Sequence, residues 1–210
     1  MIKNLVVNGC SYTEESPVYT CWGKHVADQL AVDEYYNLAL GGAGNQYILN
    51  STVKFLESRD LVAQDTLVLI MWSGIDRYDL LINEDWANHI RQSYSCVPQR
   101  NYRLSDSLEE KDHWIFSGGA GGSWRDNHEV ARIFDGLYRV SDSASLYKNS
   151  LVYFTLLESY LKLHRYKYLF TSFLNQCANN SDYLAELQTQ EFSLSCNFNS
   201  ANWLSYRKSY

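Results

Sequence analysis

Ser11 is the first residue that invites a chemical reading. It stands in Leu5-Val6-Val7-Asn8-Gly9-Cys10-Ser11-Tyr12-Thr13, where a short apolar run meets a glycine and then polar residues. That pattern predicts a buried strand ending in a turn. In an open α/β sheet, ligands bind outside the carboxyl ends of the strands, so Ser11 would sit where such proteins do their chemistry. Gly9 would let the backbone bend tightly just before it. The same serine would equally serve to cap the next helix or to close a turn. Two more segments place small or polar groups after an apolar run: Gly41-Gly42-Ala43-Gly44-Asn45 and Ser73-Gly74-Ile75-Asp76-Arg77. Metal and phosphate chemistry are not signalled. The five cysteines (Cys10, Cys21, Cys96, Cys177 and Cys196) are odd in number and contain no CxxC pair, so neither a disulfide framework nor a zinc site is expected. Gly118-Gly119-Ala120-Gly121-Gly122 is not followed by GK[ST] and does not read as a phosphate loop. No cofactor is expected.

The elements that must position these groups follow a regular order. Trp22, Val26 and Leu30 fall on one face of a helix. Tyr35 to Leu40 reads as a second strand, and Asn45 as the N-cap of a helix carrying Ile48, Leu49, Val53 and Leu56. Thr66-Leu67-Val68-Leu69-Ile70-Met71-Trp72 is short and continuously apolar, as a central parallel strand is. The first third therefore reads β-α-β-α-β, and right-handed crossovers predict a parallel sheet with its first strand between the second and third. Ser11, Gly41 and Ser73 would then share one edge. From about Asn83 to Ser145 the rhythm is lost, which predicts an irregular insertion or lid rich in aromatics and glycine, with Trp86, Tyr94, Tyr102, Trp114 and Trp124. A long helix is predicted from Leu146 to about His164, a strand over Lys167 to Phe173 and a short helix over Tyr183 to Gln190. No repeat or linker divides the chain, so residues 1–210 read as a single domain.

Bulk composition narrows the partners. A chain of 210 residues with 46% hydrophobic and 20% charged residues predicts one soluble globular domain with a sizeable core. A net charge of −6 argues against a nucleic-acid partner. Aromatics reach 15%, which predicts either an aromatic-lined cleft or an aromatic-rich core. Met1-Ile2-Lys3-Asn4 leads straight into the first strand and no apolar run reaches membrane-spanning length. Cytoplasmic synthesis without a membrane span is the expectation.

In order and spacing, the three strand-end segments resemble the first three sequence blocks of the SGNH (GDSL-type) hydrolases. The segments are Gly9-Cys10-Ser11-Tyr12-Thr13, Asn37-Leu38-Ala39-Leu40-Gly41-Gly42-Ala43-Gly44-Asn45 and Trp72-Ser73-Gly74-Ile75-Asp76-Arg77. The chain is most similar to a branch found in bacteriophages and marine bacteria. The resemblance covers about residues 1–80 and is weaker between Leu146 and Phe173. It implies a flavodoxin-like three-layer α/β/α sandwich and an esterase acting on acyl esters, including acylated carbohydrates. It also implies Ser11 as nucleophile, with the Ser11 and Gly42 backbone N–H groups as oxyanion donors. Such donors are worth a few kcal/mol each in a transition state.

Two departures bear on activity. The family usually has Gly-x-Asn where this chain has Gly74-Ile75-Asp76, and an ionised carboxylate cannot donate to an oxyanion. Either Asp76 has another role, such as an ion pair with Arg77, or Ser73 supplies the donor. The terminal Asp-x-x-His block is not visible, since no histidine follows His164. A serine hydroxyl needs a base within hydrogen-bond reach. Asp112-His113 and Asp126-Asn127-His128 each set a carboxylate near an imidazole, so His128 and His113 are the candidate bases, with exposed loop histidines as the alternative. The other reading of the whole chain is a non-catalytic binding or structural module, such as a phage virion or tail component contacting other virion proteins.

Overall fold

The computed structural model describes residues 1–16, 18–93, 113–118 and 127–172. Its centre is a parallel four-stranded sheet built from β1 (Asn4–Asn8), β2 (Glu34–Asn37), β3 (Thr66–Trp72) and β6 (Lys167–Ser172), in the order β2-β1-β3-β6. Leu5 pairs with Tyr35 on one side and with Leu67 on the other, and Leu69 pairs with Leu169. The first strand thus lies between the second and third, as the β-α-β-α-β rhythm predicts.

Strand alternation sends successive side chains to opposite faces. Leu5, Val7 and Leu69 pack with Ala27 of α1 (Trp22–Leu30), with Trp22 and Val26 partly buried beside them. Val6, Val68, Ile70, Trp72, Tyr168 and Phe170 form the main core. They meet Ile48, Phe55 and Leu56 of α2 (Asn45–Ser58), and Phe154, Leu157 and Leu161 of α5 (Ser143–Leu163). A sheet covered in this way reads as continuous apolar runs, which is why β1 and β3 were legible. Leu30 is the exception on α1. The helix ends beside it, with Ala31 left-handed at φ 49°, and Leu30 stays exposed.

The predicted irregular insertion is corrected by the structure. Between Asn83 and Ser145 lie α3 (Glu84–Ser93), β5 (His113–Phe116), α4 (His128–Val140) and the first turn of α5. β5 pairs antiparallel with β4 (Asp79–Ile82), in a two-stranded ribbon that registers Asp79 with Phe116 and Ile82 with His113. One face of the ribbon joins the main core: Trp114 and Phe116 meet the Tyr47 ring edge-on, with centroids at 5.6 and 5.2 Å. The other face forms a second core, where Ile115 packs with Ile90 of α3 and with Val130 and Phe134 of α4. Asn127 caps α4 through its side chain, accepting from the Glu129 and Val130 N–H groups at 2.8 and 3.0 Å. Among the described residues, no helix is long and apolar enough to cross a membrane. The expected helix over Tyr183 to Gln190 lies outside the described residues, as do Trp124, Cys96, Cys177 and Cys196.

Candidate functional site

The carboxyl edge of the sheet is organised from β1 outward. Asn8 is fully buried at the strand end, and its amide fastens β1 to α2. Nδ2 donates to the Ile48 carbonyl at 3.1 Å and to the Ser51 and Thr52 hydroxyls at 2.8 Å each. Oδ1 accepts from the Gly9 N–H at 2.8 Å. Gly9 must lack a side chain, because a Cβ there would strike Thr13 and stand 3.0 Å from the Met71 carbonyl. The chain then turns: the Thr13 and Glu14 N–H groups both donate to the Cys10 carbonyl, at 2.8 and 3.0 Å. Thr13 anchors the far side of the turn. Its carbonyl accepts from Asn37 Nδ2 at 2.7 Å and its hydroxyl from the Trp22 indole at 3.2 Å. Between buried Cys10 and buried Thr13, Ser11 and Tyr12 are exposed. A rigid turn therefore presents the Ser11 side chain to solvent at the carboxyl end of an inner strand.

Asn37 serves a second purpose. Its Oδ1 accepts from the Ala39 N–H at 3.0 Å, which bends the chain and ends β2 earlier than the predicted Leu40. Its Nδ2 also reaches the Tyr35 hydroxyl at 3.2 Å, which in turn contacts Cys21 Sγ at 3.1 Å. Burial, then the Cys21 contact, pushes the Tyr35 hydroxyl above its ordinary range. Cys10 and Cys21 are both buried free thiols. An open depression of about 300 Å³, with Glu15, Tyr19, Cys21 and Lys24 in its lining, follows directly after the Ser11 turn.

The second segment, Gly41 to Gly44, is gripped from several sides. Gly42 is buried with φ +84°, and a Cβ on it would stand 2.6 Å from the Gly118 carbonyl oxygen. Only glycine meets both conditions cheaply. The Gly44 N–H donates to Asp79 Oδ1 at 2.7 Å, and the Tyr47 N–H donates to Asp79 Oδ2 at 2.8 Å. Arg77 Nη1 donates to the Ala43 carbonyl at 3.1 Å. Asn45, expected as the N-cap of α2, is instead its first residue. Gly44 holds the cap position with no side-chain bond of its own, and the distant Asp79 carboxylate fills that role. Asp79 is buried, and burial pushes its carboxyl up to about 7 against the pull of the backbone N–H groups and Arg77.

The third segment contains Ser73 and Asp76. Ser73 is buried, and its backbone is read by the Asn45 side chain. Oδ1 of Asn45 accepts from the Ser73 N–H at 2.8 Å, while Nδ2 donates to the Ser73 carbonyl at 3.4 Å and to Ser150 of α5 at 3.1 Å. Among the described residues, Ser73 Oγ has no hydrogen-bond partner. Asp76 is exposed, and its carboxylate lies over Gly74, 2.5 Å from where a Cβ would be. It makes no ion pair with Arg77 among the described residues; that guanidinium goes to the Ala43 carbonyl. The Asp76 carbonyl accepts from the Tyr138 hydroxyl at 2.7 Å, and Tyr138 also meets Ser117 Oγ at 2.7 Å. The Tyr78 hydroxyl bonds to Ser141, and Ser117 Oγ accepts from the Tyr78 N–H at 2.7 Å. α4 and the end of β5 thus brace the third segment.

The structure does not bring the candidate histidines to this edge. His113 is buried at the opposite end of β5 from Phe116, with no hydrogen-bond partner for either ring nitrogen among the described residues. Three residues of strand separate it from the Phe116 position by about 10 Å. His128 is exposed on the first turn of α4, ten residues and about 15 Å along the helix from Tyr138, which touches the third segment. His164 ends α5 just before β6 begins, at the amino edge of the sheet. Of the aromatics in the predicted insertion, Trp114 is buried against Tyr47 and serves the core rather than a cleft. Reading the sequence also passed over Asn8, Asp79 and Tyr138, each of which has a partner 35 or more residues away.

Gly42→Ala is expected to cost about 1–3 kcal/mol, from the left-handed backbone and the displaced Gly118 carbonyl. Gly136 in α4 is the control: nothing lies within 4 Å of a Cβ there, so Gly136→Ala should stabilise by about 0.5–1 kcal/mol. Urea unfolding followed by tryptophan fluorescence checks both.

No curated protein matches the chain significantly. A sequence profile for a family of unknown function (DUF6071) matches residues 9–208, from the glycine before the Ser11 turn almost to the last residue. The chain therefore belongs to the DUF6071 family.

Proposed function

We propose that this protein is an SGNH-type serine ester hydrolase scaffold, a three-layer α/β/α domain that takes a small acyl ester or acylated carbohydrate at the carboxyl edge of its sheet. The observation that carries the reading is the exposure of Ser11 on a tightly anchored turn, between buried Cys10 and buried Thr13. On this reading Ser11 Oγ attacks the ester carbonyl, the alkoxide leaves as the alcohol with the serine proton, and water then frees the acid from Ser11. The backbone N–H groups of Ser11 and Gly42 face the developing oxyanion, with the Ser73 hydroxyl as a third donor. Of the two named histidines His113 is enclosed and His128 is exposed, and His128 would have to approach the Ser11 turn to act as its base. Its distance along α4 from the third segment makes slow turnover the expectation. The protein would be made in the cytoplasm.

A second reading, a non-catalytic module seated among virion proteins, is favoured by one observation: none of the histidines just placed stands beside the Ser11 turn. Fluorophosphonate labelling and turnover of short p-nitrophenyl esters decide between the two. Wild type should label, and Ser11→Ala should lose both labelling and turnover. Labelling lost in His128→Ala names the base, and labelling unchanged there removes His128 from the mechanism. No labelling in any variant rejects the hydrolase and leaves the binding module.

A further inference from the structure

We propose that Arg77 and Asp79 are positioning residues for the oxyanion site, which hold the turn carrying Gly42 so that its N–H stays open and in place for an anion. The inference rests on the ester-hydrolase reading above. It starts from an open donor. Gly42 is buried, and among the described residues its N–H donates to no acceptor. Buried backbone donors are nearly always paired, so an open one marks a place for water or a ligand.

The turn that carries the donor is gripped at its exit. The Ala43 N–H donates to the Leu40 carbonyl at 3.2 Å, which closes a turn with Gly41 and Gly42 at its centre. Gly42 has φ +84°, as the third residue of a type II turn does. The next peptide is the point of attachment, because the Ala43 carbonyl and the Gly44 N–H belong to one planar unit. Arg77 Nη1 donates to that carbonyl at 3.1 Å, and Asp79 Oδ1 accepts from that N–H at 2.7 Å. A peptide held at both ends neither rotates nor drifts, so the turn ahead of it keeps its place. Asp79 Oδ2 accepts from the Tyr47 N–H at 2.8 Å, which joins the grip to α2. Asp79 is the first residue of β4, so the Gly42 turn is fixed to the ribbon as well. The packing leaves no slack. A Cβ on Gly44 would stand 2.8 Å from both Asp79 oxygens, and a Cβ on Gly42 would stand 2.6 Å from the Gly118 carbonyl oxygen. Gly118 in turn lies on the Arg77 stem, where a Cβ would stand 2.6 Å from Cδ. Arg77 and Asp79 need no contact with the ester; they act through Gly42.

Ester kinetics joined to amide NMR on the full chain test the assignment. A misplaced oxyanion donor weakens the transition state and leaves ground-state binding nearly alone, so kcat falls and KM does not. Arg77→Leu and Asp79→Asn should each lower kcat for a short p-nitrophenyl ester by about tenfold to a hundredfold, with KM within about twofold of wild type. The Gly42 amide resonance should move in both variants, while the Val68 and Ile70 amides of β3 stay where they are. Arg77→Lys keeps a donor for the Ala43 carbonyl and should recover part of the lost kcat. Arg77→Leu leaves both Asp79 bonds in place, so it decides the matter if Asp79→Asn does not fold. An unmoved Gly42 amide in Arg77→Leu, a moved amide with unchanged kcat, a rise in KM that accounts for the loss, or no recovery in Arg77→Lys would each overturn the proposal and leave Ser11 as the nucleophile. Wild type that neither labels with fluorophosphonate nor turns over the ester would remove the hydrolase reading, and the positioning role with it.

Discussion

Asn8→Ala is expected to destabilise the protein by about 3–5 kcal/mol. The asparagine is fully buried and its two polar atoms serve four partners: the Ile48 carbonyl, the Ser51 and Thr52 hydroxyls and the Gly9 N–H. Truncation orphans the Gly9 N–H and leaves a cavity between β1 and α2. An unpaired buried group costs about 1–3 kcal/mol, and the cavity adds to it. Asn8→Asp is the sharper test because its shape is unchanged. The Ser51 and Thr52 hydroxyls already donate to the Tyr47 and Ile48 carbonyls, at 2.7 Å each, so a carboxylate would meet oxygens. It would stay protonated in the fold, and its folded pKa would lie above the unfolded one. The variant should therefore be most stable below about pH 4 and weaken as pH rises. Urea unfolding at pH 4 and pH 7 reads both effects. A loss under about 1 kcal/mol in Asn8→Ala would mean that water replaces the amide and that the tie does not hold the Ser11 turn.

The central sheet was legible because its signals are local. β3 is apolar throughout, and a parallel strand covered on both faces needs that. The long helix α5 announced itself through Phe154, Leu157 and Leu161, which recur at helical spacing and are buried. The helices of the insertion also left local signals that the dense aromatics and glycines masked. Asn127 followed by Val130, Phe134 and Leu137 is an N-cap and an apolar stripe, and the structure uses both. Asn83 likewise accepts from the Trp86 N–H at 2.8 Å at the start of α3.

The site was legible only in part, for a physical reason. Ser11 announces itself because strand, glycine and polar turn are contiguous in sequence. The groups that hold its surroundings act across the chain. Asp79 caps a helix that begins 34 residues before it, and Tyr138 braces a loop 62 residues before it. Neither contact leaves a periodicity or a motif. The aromatic residues divide in the same way. Trp72 lies against Phe154 with ring centroids 4.4 Å apart and planes tilted by 42°, and Trp114 meets Tyr47 edge-on, so both serve the core rather than a cleft. Composition cannot distinguish the two uses, because the chemistry of the ring is the same in each.

Wild type is expected to lose about 2–4 kcal/mol of stability, relative to Asp79→Asn, as pH rises from about 4 to about 8. The Asp79 carboxyl moves from its ordinary 3.8 to about 7 in the fold. Between those values the folded protein keeps a proton that the unfolded chain has released. Stability from this group is fully present below about pH 4, falls as pH rises towards 7 and is level above it. Each pH unit of separation is worth about 1.4 kcal/mol, which makes roughly 4 kcal/mol the ceiling. The sign depends on a contest within the site. Two N–H groups at the start of α2 and the Arg77 guanidinium favour charge, as a helix N-terminus does, while burial opposes it. Asparagine removes the ionisation and keeps one acceptor, so the difference between the two proteins isolates Asp79 from every other carboxylate. Urea unfolding of both at pH 4.5, 6 and 8 measures it. A difference that stays constant or grows with pH would show that the helix amides and Arg77 win and that Asp79 is held as a charged cap.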